Sequence, residues 1–238
     1  MLEIKNLTCS IIDSDVPILE DFSLKINEGE THVIMGHYQY EVNSGDICID
    51  SESILHLSVD ERAKKGLFLC MQDPTVIEGV SNSEFLRTAR ASLTGEKVNL
   101  YTFIKDMEQG MKDVSLDSSM LHRSLNHGFS GGEKKKNEIL QMKFLKPKYI
   151  ILDELDSGLD VDSLRIVCDN INSYMKENKE ASLLIITHYT RILEYLKPDF
   201  VHILKDGSIK KSGGMELALE IEKSGYSDII ESGGEADE

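Results

Sequence analysis

Apolar and polar residues alternate from the start of the chain. Leu2, Ile4 and Leu7 are separated by Glu3, Lys5 and Asn6, the period of a half-exposed strand. Ile18 to Ile26 repeats the pattern before a turn at Asn27-Glu28-Gly29, so the two stretches predict a small antiparallel sheet. Apolar runs predict further strands at Thr31 to Met35, Ile47 to Asp50, Gly66 to Met71 and Leu183 to Thr187. Tyr149 to Leu152 is a short continuous run of the kind that a parallel strand buried on both faces requires. Asp199 to Leu204 and Ser208 to Lys211, joined by Lys205-Asp206-Gly207, predict a closing hairpin.

Helical spacing fills the intervals. Ser58 to Lys65 predicts one short helix. From Ser83 to about Arg123 the stripes Phe85, Leu86, Ala89, Leu93 and Phe103, Ile104, Met107, Met111 predict helices with those residues in the core. Ser130 and Glu133 form the two ends of a capping box, and the helix they open needs Ile139, Leu140 and Met142 inside. Lys134-Lys135-Lys136 is expected to be its solvated face. Further helices are expected at Val161 to Met175 and Met215 to Ser224, with a frayed acidic tail from Ser232 to Glu238.

Candidate chemistry sits where the strands end. Gln72, Asp153 and His188 each terminate an apolar strand, and in a parallel sheet such ends share the edge where ligands bind. An Asp there can hold Mg²⁺, and Glu154 beside it can orient or deprotonate a water. For either carboxylate alone a solvated acidic turn after a strand is the better reading, and a lone histidine after a strand, as at His188, is usually structural. Gly131-Gly132 after Ser130 removes side chains where backbone N–H groups and a helix dipole meet a phosphate, although a capped helix alone explains the same residues.

Composition then narrows the class. The 238 residues allow one large α/β domain or a core with an inserted subdomain. With 26 Lys plus Arg against 42 Asp plus Glu, the net charge of −16 argues against a nucleic-acid or anionic-membrane surface and favours a basic partner. No run approaches the roughly 20 apolar residues of a membrane span, and Met1 to Lys5 lacks a secretory apolar region, so a cytoplasmic protein is expected. Cys9, Cys48, Cys70 and Cys168 are scattered without metal-binding spacing and are expected to be reduced core residues.

The motifs together resemble the ATP-binding cassette (ABC) family. FSGGEKKKNEI matches its signature sequence, YIILDE its Walker B strand and catalytic glutamate, and Ser157 to Asp160 its D-loop. Within the family the chain resembles the SufC branch, ATPase subunits of iron–sulfur cluster assembly, since Leu155-Asp156 and Glu133 stand where transporter subunits usually carry Pro-Thr and Gln. The resemblance implies an α/β core with a mainly parallel sheet, an antiparallel β subdomain and a helical subdomain at 83–125, all in one domain spanning 1–238. It implies MgATP as cofactor, Glu154 and His188 as catalytic residues, and Asp153 and Gln72 as metal ligands. It further assigns Gly36, Gln72, Ser130, Gly131, Gly132 and Asp160 to the nucleotide. The implied partners are scaffold subunits of the SufB/SufD type and a second copy in a transient head-to-tail dimer.

Two departures stand out. Ser10-Ile11-Ile12 offers aliphatic groups where the family often stacks an aromatic ring on adenine. More consequentially, Gly36 is followed by His37-Tyr38-Gln39-Tyr40-Glu41, with no G-x-x-x-x-G-K-[ST] phosphate loop. The SufC-like pattern resumes at Tyr40, as though a loop and its first helix, on the order of 15 residues, had been excised. Losing several buried side chains at roughly 1.5–3 kcal/mol each approaches the whole 5–15 kcal/mol stability of a domain. Either the deletion is real and gives an ATPase-dead binding subunit, or a segment is present between Gly36 and His37, their Cα atoms then lying well beyond ~3.8 Å. A transporter ATPase subunit is the remaining alternative.

Overall fold

The computed structural model describes residues 1–10, 17–35, 41–221 and 223. The expectations for Ile11 and Ile12, Gly36, the Gly36–His37 junction, the end of the last helix at Ser224 and the 232–238 tail lie outside these residues.

The alternating stretches form β1 (Leu2–Ser10) and β2 (Pro17–Ile26), which pair antiparallel. β3 (Thr31–Met35) follows, then β4 (Glu41–Ile49), which pairs with the other side of β1, and the short β5 (Glu52–Ser53). The helix α1 (Val59–Lys64) is capped by Ser58 and Glu61 and leads into β6 (Leu67–Cys70). Next come β7 (Ile77–Ser81), α2 (Asn82–Thr94), α3 (Leu100–Asp113), a 3-10 turn at Ser118–His122 and β8 (Ser124–Leu125). β7 pairs with β8 in a two-stranded sheet that the sequence pattern does not predict. α4 (Gly131–Leu145), β9 (Tyr149–Asp153), α5 (Val161–Glu177) and β10 (Ser182–Ile186) follow as expected. β11 (Phe200–Lys205) and β12 (Ser208–Gly213) make the hairpin, its turn taking positive φ at Asp206 and Gly207. Residues 215–221 are helical.

The central sheet runs β12-β11-β3-β10-β9-β6, parallel except for β12 at its edge. The antiparallel sheet runs β2-β1-β4-β5. Because successive strand residues face opposite sides, Val33, Cys70, Ile150, Leu152, Leu183 and Ile185 join α4 and α5 in one core. Ile34, Tyr149 and Leu184 join the antiparallel sheet in the other. All four cysteines are buried and free, as expected. Among the described residues no helix is long and apolar enough to cross a membrane.

Two expectations fail. Ile104 is 48% exposed, because α3 buries the narrower stripe Phe103, Met107 and Met111 and leaves Ile104 at its margin. Lys135 is buried at 3% exposure, so the lysine run is not a uniformly solvated face; the end of β6 lies against that side of α4 and gives the ammonium a carbonyl partner.

Candidate functional site

β6, β9 and β10 lie side by side, with Cys70 opposite Leu152 and Ile186 opposite Asp153. Their carboxyl ends are therefore level, and the residues that leave them meet. Gln72 Nε2 donates to Glu154 Oε2 at 2.7 Å, and His188 Nε2 lies 3.3 Å from Glu154 Oε1. The side chain of Glu154 is 13% exposed and that of His188 43%, so the carboxylate is sheltered while the imidazole reaches solvent. Glu154 adopts φ 43°, a left-handed conformation unusual for a residue with Cβ, and its N–H donates to the Ile186 carbonyl at 2.9 Å. The neighbouring strand thus holds a backbone turn that aims the carboxylate between the amide and the imidazole.

Asp153 closes β9 directly before this turn. Its carboxylate and the Gln72 amide oxygen are hard oxygen donors of the kind that Mg²⁺ takes together with phosphate oxygens and water. Among the described residues no group of three or more His, Cys, Asp or Glu is placed to hold a metal ion.

Behind the edge, Thr187 Oγ1 lies 3.1 Å from both carboxylate oxygens of Asp156. Thr187 N–H donates to the Ile34 carbonyl at 3.0 Å, and Tyr189 N–H donates to Thr187 Oγ1 at 3.0 Å. These bonds tie the loop after Glu154 to the loop carrying His188. Burial pushes the Asp156 carboxyl above its usual range, opposed by a bond to its own backbone and by the Thr187 hydroxyl. Pattern reasoning passed over Thr187, because a hydroxyl closing an apolar strand gives no sequence signal until its partner is known.

Ser130, Gly131, Gly132 and Asp160 gather at the N-termini of α4 and α5. Ser130 Oγ accepts from Glu133 N–H at 3.3 Å while Glu133 Oε2 accepts from Ser130 N–H at 2.7 Å, which is the expected capping box. A Cβ at Gly131 would meet nothing within 4 Å, whereas one at Gly132 would lie 3.6 Å from Leu159 and 3.9 Å from Ser163 Oγ. The signature turn is thus open on one side and packed against the Ser157 to Asp160 loop on the other. Asp160 is the N-cap of α5, accepting from Ser163 N–H at 2.7 Å and Ser163 Oγ at 3.0 Å. The Ser163 amide holds its carboxyl below the usual range. Gly36 lies outside the described residues.

The sequence profile of the ABC transporter family matches residues 19–157. The chain belongs to that family. It is 44% identical to vegetative protein 296 of Bacillus subtilis across 100% of this chain and 96% of that protein. It is also 44% identical to the probable ATP-dependent transporter slr0075 of Synechocystis, across 95% and 94% of the two chains. The probable ATP-dependent transporter ycf16 of Cyanophora paradoxa is 43% identical over 95% and 93%. Among solved structures, the dimeric bacterial ABC transporter cassette MJ0796 superposes with a TM-score of 0.77 at 18% identity, covering 90% of this chain and 99% of that one. The same cassette has been solved bound to ADP and Pi. The ABC ATPase fold expected from the motifs is therefore the fold observed, with its mixed central sheet, antiparallel sheet and helices.

Proposed function

We propose that this chain is a SufC-type ABC subunit that couples MgATP hydrolysis to iron–sulfur cluster assembly by soluble SufB/SufD-type scaffolds. The convergence of Gln72 and His188 on the Glu154 carboxylate carries the reading. Glu154 takes the proton of the attacking water, His188 presents its imidazole to the γ-phosphate, and Asp153 with Gln72 holds Mg²⁺. MgATP supplies the phosphoryl group whose transfer to water releases the free energy. Ser130, Gly131 and Gly132 of a second copy, packed head to tail, face the nucleotide with the open end of α4. The helical stretch at 83–125 serves as a subdomain that grips the scaffold. Glu133 and Leu155-Asp156 favour this branch over transporter subunits, although several relatives are named as transporters.

A second reading is favoured by one observation: no phosphate loop exists anywhere in the 238 residues. The alignment with the Bacillus protein spans 254 positions, 16 more than this chain has, about the length of such a loop and the helix after it. On this reading the 238-residue form is a non-catalytic binding subunit whose scaffold contacts survive.

Both readings are tested by ATP turnover and nucleotide affinity with SufB/SufD-type scaffolds present, for the chain itself and for one with G-x-x-x-x-G-K-[ST] and its helix inserted after Gly36. Hydrolysis in the loop-restored chain alone assigns the 238-residue form to the binding role. No hydrolysis in either rejects the ATPase reading, and co-purification with a membrane permease in place of soluble scaffolds rejects the assembly reading.

A further inference from the structure

Four polar side chains of α4, Lys135, Asn137, Glu138 and Gln141, are buried although neither the capping box nor the strand-tip edge uses them, and the first three hold the segment after β6 directly or through Asn126. Lys135 and Glu138 stand one helical turn apart, hence on one face, and are 3% and 6% exposed. They take both polar groups of a single residue. Met71 N–H donates to Glu138 Oε1 at 3.1 Å, and the Met71 carbonyl accepts from Lys135 Nζ at 2.6 Å. The Cys70 thiol donates to the second Glu138 oxygen at 3.0 Å. Gln72 is the next residue. Beyond it, the Thr75 carbonyl accepts from Asn126 Nδ2 at 2.8 Å, and Asn126 Oδ1 accepts in turn from Asn137 Nδ2 at 2.8 Å. Residues 71–75 are therefore tied to α4 at both ends, with Gln72 between the ties.

Satisfying the backbone does not require this arrangement. β6 is the edge strand of its sheet and Met71, the residue after it, is 44% exposed, so water could serve the Met71 peptide. Sequestering a carboxylate and an ammonium from water is costly by comparison. α4 is also the helix that Ser130 opens. A rigid helix with the signature turn at its tip and the Met71 peptide clamped one to two turns along it moves both together.

We propose that Lys135 and Glu138 are positioning residues: they clamp the Met71 peptide to α4, so that the signature helix sets where Gln72 meets Glu154. This rests on the reading of Gln72 and Glu154 as one nucleotide edge. Its test uses protein without nucleotide, so a failed ATPase assay and a failed clamp are separate results.

Amide exchange at Met71 and the side-chain amide resonances of Gln72 are to be compared in the full chain and in Lys135→Met, Glu138→Leu and Glu138→Gln. Glu138→Leu is expected to speed Met71 exchange about tenfold or more relative to β9 and β10, since a charge-assisted acceptor is lost. Glu138→Leu and Lys135→Met both displace the Gln72 side-chain resonances, and Glu138→Gln, which keeps a carbonyl acceptor, restores them. Gln72 resonances that stay in place in Lys135→Met and Glu138→Leu overturn the proposal, as does a change spread evenly over β9 and β10. Should Glu138→Leu not fold, Lys135→Met decides alone: unmoved Gln72 resonances overturn the clamp.

Discussion

At the residue scale, side chains whose partners lie far along the chain decide both the site and its support. Thr187 stands against the half-buried Asp156 carboxylate, so Thr187→Val removes a hydroxyl donor from the acid. A loss of about 1–3 kcal/mol in urea unfolding is expected, larger than for Asp156→Asn, which keeps a carbonyl acceptor for the hydroxyl. A second polar set, with two buried histidines at its centre, joins β3 to the hairpin. Glu30 Oε2 contacts His32 Nε2 at 3.0 Å, His32 Nδ1 contacts His202 Nε2 at 3.0 Å, and His202 Nδ1 contacts Ser212 Oγ at 2.8 Å. Burial, and then His32, pull the His202 imidazole from an ordinary 6.5 down to about 4. The unfolded chain thus binds a proton below about pH 6.5 that the folded one refuses until about pH 4. Stability contributed by neutral His202 is full above the first value and falls as pH drops toward the second, by up to about 1.4 kcal/mol per pH unit. Urea midpoints between pH 7 and pH 4.5 should show this slope, and His202→Gln should remove it. Gln72, Asp153, Glu154 and His188 were legible because each ends an apolar run. Lys135 was not: its neighbours are lysines, and its burial depends on a carbonyl 64 positions away.

At the element scale, strands and caps were readable because their signals are local. β3, β6, β9 and β10 follow their apolar runs to within about a residue or two. α4 begins where its capping box says, and Ser130→Ala should cost about 1 kcal/mol in thermal or urea unfolding. The β7–β8 pair was not readable, since two strands of such length carry no alternation and their pairing spans the helical stretch. Gly45 shows a requirement that no local pattern states. Its φ is +91°, and a Cβ would sit 2.5 Å from the carbonyl oxygens of Lys5 and Asn6 where β4 crosses an irregularity in β1. Gly45→Ala combines strain with a backbone clash, so a loss of more than about 2 kcal/mol in unfolding free energy is expected.

At the scale of the whole molecule, the order of the motifs along the chain conveyed the fold. Parallel strands joined by crossovers have few allowed arrangements, and placing three functional strand ends on one edge required β6, β9 and β10 to be neighbours, as they are. The acidic balance, net −16, remains a statement about partners and predicts that association with any basic partner surface weakens as salt rises. The phosphate loop with its backbone donors and lysine is missing from the 238 residues, and the choice between an ATPase and a binding subunit turns on it. The edge around Glu154 is expected to remain competent for water activation once the loop is present. Its most direct test is phosphate release from MgATP by the loop-restored chain with and without Glu154→Gln. Hydrolysis is expected to fall by about 10²–10⁴-fold in the variant while nucleotide affinity holds. Equal rates in the two proteins would contradict it.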